Sequence, residues 1–293
     1  MPDTVAPTGP LNRPSILLTG ATGNLGRAVV DRLVERDVHV RCLVRGRPAP
    51  RPGVDWVAGD LTDPADVRGA LPGVDAVFLI WPLLDSAPAH EVVKELGAAA
   101  PRVVYLSSTA IDDSAPRQSD PIVQVHADME VLLRDAGLRP VVLRSDTLAS
   151  NARGWAAQLR AGDEVSGPYV ARTAVVDERD VADAVVAALL APNGHLNPGP
   201  HLLTGPTALT RADQVAQLGA ALRRPLRYRT LPAASARARM LADGRPAALV
   251  EALVTASERR PESHRVTDHL ERLTGRPAGP FSRWAADHAP EFD

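Results

Sequence analysis

One cysteine, Cys42, occurs in the 293-residue chain, so no intramolecular disulfide can form, and its apolar surroundings make it a small core residue. Lysine is as scarce: of 33 basic residues only Lys94 is lysine, a bias that accompanies abundant alanine and 27 prolines and belongs to composition rather than function. No apolar run approaches the roughly 20 residues that cross a bilayer as a helix. Residues 1–13 have neither the basic start nor the apolar core of a secretion signal and read as a flexible arm. A net charge of −2 argues against a nucleic-acid or membrane-surface protein. The expectation is a soluble cytoplasmic protein that meets a small-molecule substrate, with no nucleic acid, membrane or metal involved, as a monomer or homodimer.

What the chain does have is a glycine-punctuated stretch near its start. Residues 15–18 read as a short buried strand, and Leu25, Ala28, Val29 and Leu33 recur at helical spacing after it. Gly20, Gly23 and Gly26 therefore fall on a strand-to-helix turn. There Gly20 can make the tight turn, Gly23 can admit a pyrophosphate to the main chain, and Gly26 can let helix and strand pack closely. The helix start aims unpaired N–H groups at the anion. Thr22, Asn24 and Leu25 complete this candidate cofactor turn.

Thr19-Gly20-Ala21-Thr22-Gly23-Asn24-Leu25-Gly26 resembles the cofactor turn of the atypical short-chain dehydrogenase/reductases, in the NmrA-like branch that includes NAD(P)H-dependent quinone reductases. The expected fold is α/β: a Rossmann-like doubly wound parallel sheet with a smaller, mostly helical C-terminal substrate lobe. Residues 14–146 and 175–205 would form the dinucleotide-binding part, and 147–174 with 206–293 the lobe. The second strand, 38–44, is followed by Arg45 and Arg47, and no carboxylate lies between Val38 and Pro50 to hold ribose hydroxyls. Two guanidinium forks suit a 2′-phosphate, so the expected cofactor is NADPH. The third strand, 54–58, leads to Asp60 and Leu61. The resemblance implies that these lie beside the adenine; capping of the next turn is the other reading of Asp60.

The apolar run 74–80 reads as a central strand, which puts Ile80, Trp81 and Pro82 at the crevice where ligands bind in open α/β sheets. Trp81 either flanks the nicotinamide and substrate or belongs to the core. The strand 103–106 ends in Ser107 and Ser108, which resemble the position that hydrogen-bonds a substrate carbonyl; a cap or turn is the alternative. A helix opened by Ser119-Asp120-Pro121 carries Ile122 and His126 where the superfamily has its Tyr-x-x-x-Lys pair. His90 precedes the only lysine by four residues, so that pair exists nowhere in this chain. The resemblance places His126 near the nicotinamide ribose and substrate, as a candidate catalytic residue with Ser107 and Ser108.

A strand ending at Arg144, with Ser145 where the branch has proline, leads to Asn151. Residues 151–170 read as a loop and short helix over the pocket, with Asn151 and Trp155 as substrate contacts. Farther on, 201–206 and 226–230 read as strands, Thr210 opens a helix with a capping-box pattern, and helices are expected around 233–241, 247–256 and 264–273.

Three functions remain in competition: an NADPH-dependent reductase acting on a quinone-like or conjugated carbonyl acceptor, a redox-neutral isomerase or cyclase, and a non-catalytic NAD(P) sensor. Reduction of a simple ketone leaves an alkoxide that needs a placed proton donor. A quinone instead gives a phenolate that water can protonate, and the missing Tyr-x-x-x-Lys pair therefore favours the quinone-like acceptor.

Overall fold

Ser15, Ile16, Leu17 and Leu18 (β1, Ser15–Leu18) are buried on both faces, a pattern that suits the middle of a parallel sheet covered by helices on each side. The computed structural model describes residues 13–99, 101–192, 195–196 and 199–293 and has that architecture. Nearly all of the expected arm, 1–13, lies outside the described residues. In chain order the first half runs α1 (Asn24–Val34), β2 (His39–Val44), β3 (Val54–Ala58), α2 (Pro64–Ala70), β4 (Ala76–Leu79), α3 (Ala89–Ala99), β5 (Arg102–Ser108), α4 (Pro121–Asp135) and β6 (Val141–Ser145). A 3₁₀ turn, Ala149–Trp155, leads into α5 (Ala156–Ala161), β7 (Glu164–Gly167), α6 (Glu178–Leu190) and β8 (Gly199–Leu203). The chain closes with α7 (Arg211–Leu222), β9 (Arg227–Thr230), α8 (Ala233–Ala242), α9 (Ala247–Arg259), α10 (His269–Thr274), α11 (Phe281–Asp287) and a 3₁₀ turn at Ala289–Phe292.

The main sheet has the order β3-β2-β1-β4-β5-β6-β8, and every neighbouring pair is parallel. Alternate residues of β1 feed opposite faces. Ile16 and Leu18 join a core with α1 and α6, while Leu17 joins one with α2, α3 and α4. The strand order reverses between β1 and β4, and the two strand ends are latched there: Thr19 Oγ1 donates to the Ile80 carbonyl at 2.9 Å and accepts from the Ile80 amide at 2.8 Å. That reversal is where open α/β sheets place their ligands.

The helix starts follow the expected capping chemistry. Asp63 and Asp120 accept from first-turn amides ahead of Pro64 and Pro121, and Thr210 with Asp213 forms a complete capping box. Besides the helix read around 264–273, which begins only at His269 as α10, two features depart from the sequence expectations. The segment 151–170, read as a loop and short helix, also contains β7, which pairs in parallel with β9 as a separate two-stranded sheet. Its four residues Glu-Val-Ser-Gly carry one apolar side chain, so the strand exists through its partner rather than through local pattern. The second is α11, whose Phe281 and Trp284 pack with Phe292, Val215 and Leu218 into the core of the C-terminal lobe. Leu270 of α10 instead reaches back into the core beneath the main sheet, on α6 and β8.

Candidate active site

The three glycines of the first turn divide their labour by geometry. Gly20 sits at φ +66°, a conformation most side chains avoid, and its chain reversal follows from that. A Cβ on Gly26 would fall 2.1 Å from the Gly20 carbonyl oxygen, so only glycine lets α1 close on the turn. Gly23 has ordinary φ and ψ, and a Cβ there would meet only the Gly20 oxygen at 3.4 Å. It is the position with open space before it, and Thr22, Gly23 and Asn24 are all exposed.

The start of α1 has no side-chain cap and no acidic residue in its first turn, whereas α2, α4 and α6 are each capped by an aspartate. Helix starts leave amides without intrahelical partners. At α1 a pyrophosphate fits that need without competing with a side chain.

At the end of β2, Arg45 and Arg47 are exposed and neither has an ion-pair partner among the described residues. Asp60 accepts from both the amide and the hydroxyl of Thr62 at 2.9 Å, which holds its carboxyl below the usual carboxylate range, with a smaller contribution from Arg45. Leu61 beside it is half-buried, as is Ile80, whose side chain packs on Gly20. Pro82 is exposed. Trp81 lies elsewhere: it is 4 % exposed, packs in the core under α2 and α3, and donates its indole N–H to the Asp85 carbonyl at 2.9 Å. It is absent from the cavity wall. Its indole is held by its own loop and core neighbours, and the core alternative describes its position.

A cavity of about 660 Å³ opens from the glycine turn, where Asn24 forms part of its wall, and continues under the C-terminal lobe. Ser107, Ser108, Ile122, His126, Asn151 and Trp155 all line it. Sequence positions far apart are thereby brought together. Ser107 is 3 % exposed and donates to Glu130 Oε1 at 2.5 Å, inside a buried pair in which Arg144 donates to both Glu130 oxygens at 2.9 Å. Its hydroxyl is therefore engaged, while the half-buried Ser108 accepts from the Ala110 amide at 3.2 Å and retains its O–H. Ser150, 2 % exposed on the same wall, has a hydroxyl with no hydrogen-bond partner among the described residues.

His126 Nδ1 lies 3.0 Å from the Tyr105 hydroxyl. Burial pushes the Tyr105 phenol up and the His126 imidazole down to about 4, with Arg260 assisting the latter and Glu130 and Asp120 opposing it. Both groups are thus neutral near pH 7. The hydrogen bond between the neutral phenol and the neutral imidazole runs in the direction the ring tautomer sets: with the phenol as donor, the ring hydrogen lies on Nε2. In that tautomer His126 presents an N–H donor, and in either one it is not an imidazolium acid near pH 7.

Sequence reading missed another part of the wall. Arg211, Tyr228, Arg239 and Arg260 reach the cavity from α7, β9, α8 and the end of α9. In an arginine-rich chain none of them carries a local signal; only tertiary structure distinguishes them from surface arginines.

A family model described as NAD(P)H-binding matches residues 20–192, which contain the glycine turn and most of the main sheet. The chain belongs to this NAD(P)H-binding family. Among curated proteins, a (4-alkanoyl-5-oxo-2,5-dihydrofuran-3-yl)methyl phosphate reductase of Streptomyces griseus is 38 % identical over 285 residues, 94 % of this chain and 99 % of that one. An NAD(P)H azoreductase of Xenophilus azovorans is 31 % identical over the same extents. Among solved structures, an NADPH-dependent quinone oxidoreductase of Escherichia coli in complex with NADPH aligns over 93 % of this chain and 99 % of its own, at 25 % identity and a TM-score of 0.74. A mutant NmrA structure shares the fold at 17 % identity and a TM-score of 0.73. The NmrA-like and quinone-reductase resemblance of the first turn thus extends to the fold of the NAD(P)H-binding family member as a whole. Among the described residues no helix is long and apolar enough to cross a membrane.

Proposed function

We propose that this NAD(P)H-dependent oxidoreductase uses NADPH to reduce a small conjugated carbonyl acceptor, such as a quinone or an unsaturated lactone. The observation that carries this is the composition of the cavity wall beside the glycine turn: Asn24, Ile122 and His126 line it, and the last two are the residues that the sequence resemblance matches to a tyrosine and a lysine that would supply a proton and a charge. Gly20, Gly23 and Gly26 with the start of α1 would hold the pyrophosphate, Arg45 and Arg47 the 2′-phosphate, and Asp60, Leu61 and Ile80 the adenine and nicotinamide sides. The cofactor supplies the hydride.

The chain's own part is positioning. His126, with Nδ1 occupied by Tyr105, offers Nε2–H to an acceptor oxygen, and the Ser108 hydroxyl offers a second donor. Such donors stabilise negative charge developing on a carbonyl oxygen. A conjugated acceptor spreads that charge, so water completes the protonation and no strong acid is needed. Asn151 and Trp155 confine the acceptor at the outer end. The relatives support this chemistry by their own acceptors, a dihydrofuranone phosphate, an azo compound and a quinone.

Stopped-flow absorbance of NADPH mixed with the protein and a panel of quinones, conjugated lactones and saturated ketones tests the proposal. Oxidation with the conjugated acceptors and not with the saturated ketones is expected. Intact cofactor binding without oxidation by any acceptor would reject the reductase reading in favour of the redox-neutral or sensing ones.

A further inference from the structure

Five arginines and two aspartates, Asp146 and Asp243, line the cavity. One aspartate is already committed: Asp146 accepts from the Thr147 amide at 2.6 Å and from the hydroxyls of Thr109 and Thr173. Two of the arginines are committed too, Arg153 to Glu178 and Glu291, and Arg260 to Asp120. Of the remaining three, Arg245 is exposed, and Arg211 and Arg239 donate to neutral side chains. Arg239 Nη1 donates to Ser166 Oγ at 3.0 Å, a neutral partner. Arg211 Nη1 donates to the amide oxygen of Gln214 at 2.9 Å, and its guanidinium carbon stands 5.4 Å from the centre of the Trp155 ring.

Neither has a carboxylate within ion-pair distance among the described residues, although Arg211 is half-buried at the first position of α7. Placing a guanidinium away from water without an anion is costly, and a protein ordinarily supplies one. Here burial and the like charge of Arg260 both disfavour the charged form of Arg211, with only the Tyr228 phenol opposing. The stacked Trp155 and the neutral Gln214 fix the direction of the fork without neutralising it. Ser166 and Tyr228, whose hydroxyl donates to the Pro168 carbonyl at 2.5 Å, belong to the two-stranded sheet β7-β9, which places this wall on a rigid pair of strands.

We propose that Arg211, with Arg239, is an anion subsite at the lobe end of the cavity, which receives a phosphate monoester carried by the acceptor while its conjugated end lies toward His126. The substrate class is therefore a phosphorylated conjugated carbonyl compound. This rests on the reductase reading for its chemistry, but the subsite itself depends only on binding. Arginine suits the role because its planar fork can meet two phosphate oxygens at once, and such charge-assisted bonds are roughly twice as strong as neutral ones.

Calorimetric titration of the NADP⁺-saturated protein with phenyl phosphate and with phenol separates the subsite from the cofactor's own phosphate sites. Phenyl phosphate should bind at least about tenfold more tightly than phenol, and Arg211→Gln should remove most of that margin, given the strength of hydrogen bonds to charged groups. Arg211→Lys should restore part of it, and Arg239→Gln should reduce it by a smaller factor. Arg237→Gln, at an exposed ion pair with Glu251, serves as the control that changes net charge equally. Equal affinity for the two probes, or equal loss in Arg237→Gln and Arg211→Gln, overturns the subsite. Should Arg211→Gln fail to fold, the Arg211→Lys and Arg239→Gln titrations decide by the same criterion. Phosphate-dependent binding without any NADPH oxidation would retain the subsite and sink the reductase reading; oxidation of conjugated acceptors with no preference for their phosphate esters would do the reverse.

Discussion

The glycine turn and the acceptor cavity adjoin at Asn24, yet they are built in opposite ways. The turn is one contiguous stretch, Thr19 to Gly26, and its geometry is a property of the backbone: a positive φ at Gly20, a missing Cβ at Gly26, and uncapped amides at the start of α1. The cavity is assembled from side chains on α4, the 3₁₀ turn after β6, α7, β9 and α8. A backbone site has few intermediate states, because a clash with main chain cannot be relieved by a rotamer. A side-chain site loses its contacts one at a time. Substitutions should therefore be all-or-none in the first region and graded in the second.

The largest effect expected is at Gly26. In Gly26→Ala the new methyl would lie 2.1 Å from the Gly20 oxygen and 2.8 Å from Ala21 Cα, both backbone atoms. We expect a loss of more than about 3 kcal/mol in urea unfolding, in the range that marks a forced backbone shift or overpacking. Gly23→Val provides the contrast within the same turn. Its φ of −77° is open to any residue and the nearest obstacle is 3.4 Å away, so this variant should fold normally and lose NADPH binding in calorimetry. Wild-type affinity in folded Gly23→Val would break the assignment of the turn as the phosphate site.

The same difference governs what could be read from the chain. The strand, the three glycines and the helix after them are contiguous, so a local pattern carries both fold and role. The capped helix starts at Asp63, Asp120 and Thr210 were legible for the same reason. The placement of Ile122 and His126 on the cavity could be anticipated because the register of one helix fixes both. Trp81 shows the limit: its position at a strand end is local, but whether its ring turns to the crevice or into the core depends on neighbours from α2 and α3. Strand β7 and the arginines of the cavity were invisible, since pairing with β9 and the absence of a carboxylate partner are relations between distant segments.

A smaller effect belongs to the 2′-phosphate. Arg45 and Arg47 are exposed and unpaired among the described residues, so replacing both should leave folding untouched. Arg45→Ala combined with Arg47→Ala should weaken NADPH by about tenfold while NADH changes little, since the low end for a hydrogen bond to a charged group is near 1.5 kcal/mol. High salt should shrink the difference, because exposed charges are screened. Fluorescence titration of both cofactors, at low and high ionic strength, measures it. Equal NADPH affinities in wild type and double variant would reassign the arginines to plain surface.

The effect that tests the graded region most closely, and that emerges only as pH is lowered, concerns His126. Its imidazole is lowered to about 4 by burial, against an ordinary value near 6.5, with Glu130 and Asp120 pulling upward and Arg260 downward. Between those two values the unfolded chain binds the proton and the folded one does not, so stability rises with pH through this window and is lost as pH falls through it. The full span amounts to roughly 3 kcal/mol at 1.36 kcal/mol per unit, and less where water reaches the ring. His126→Gln keeps an oxygen to accept from Tyr105 and an N–H toward the cavity, while removing the ionisation. Urea midpoints taken from pH 7 to pH 4 should therefore fall less steeply in His126→Gln than in wild type. In the same range, turnover of a quinone should show no ionisation near 6.5 that disappears in the variant, because the neutral ring only donates a hydrogen bond. A kinetic inflection between pH 6 and 7 that His126→Gln abolishes would show that the ring does ionise during turnover, and would restore His126 to the role of a general acid.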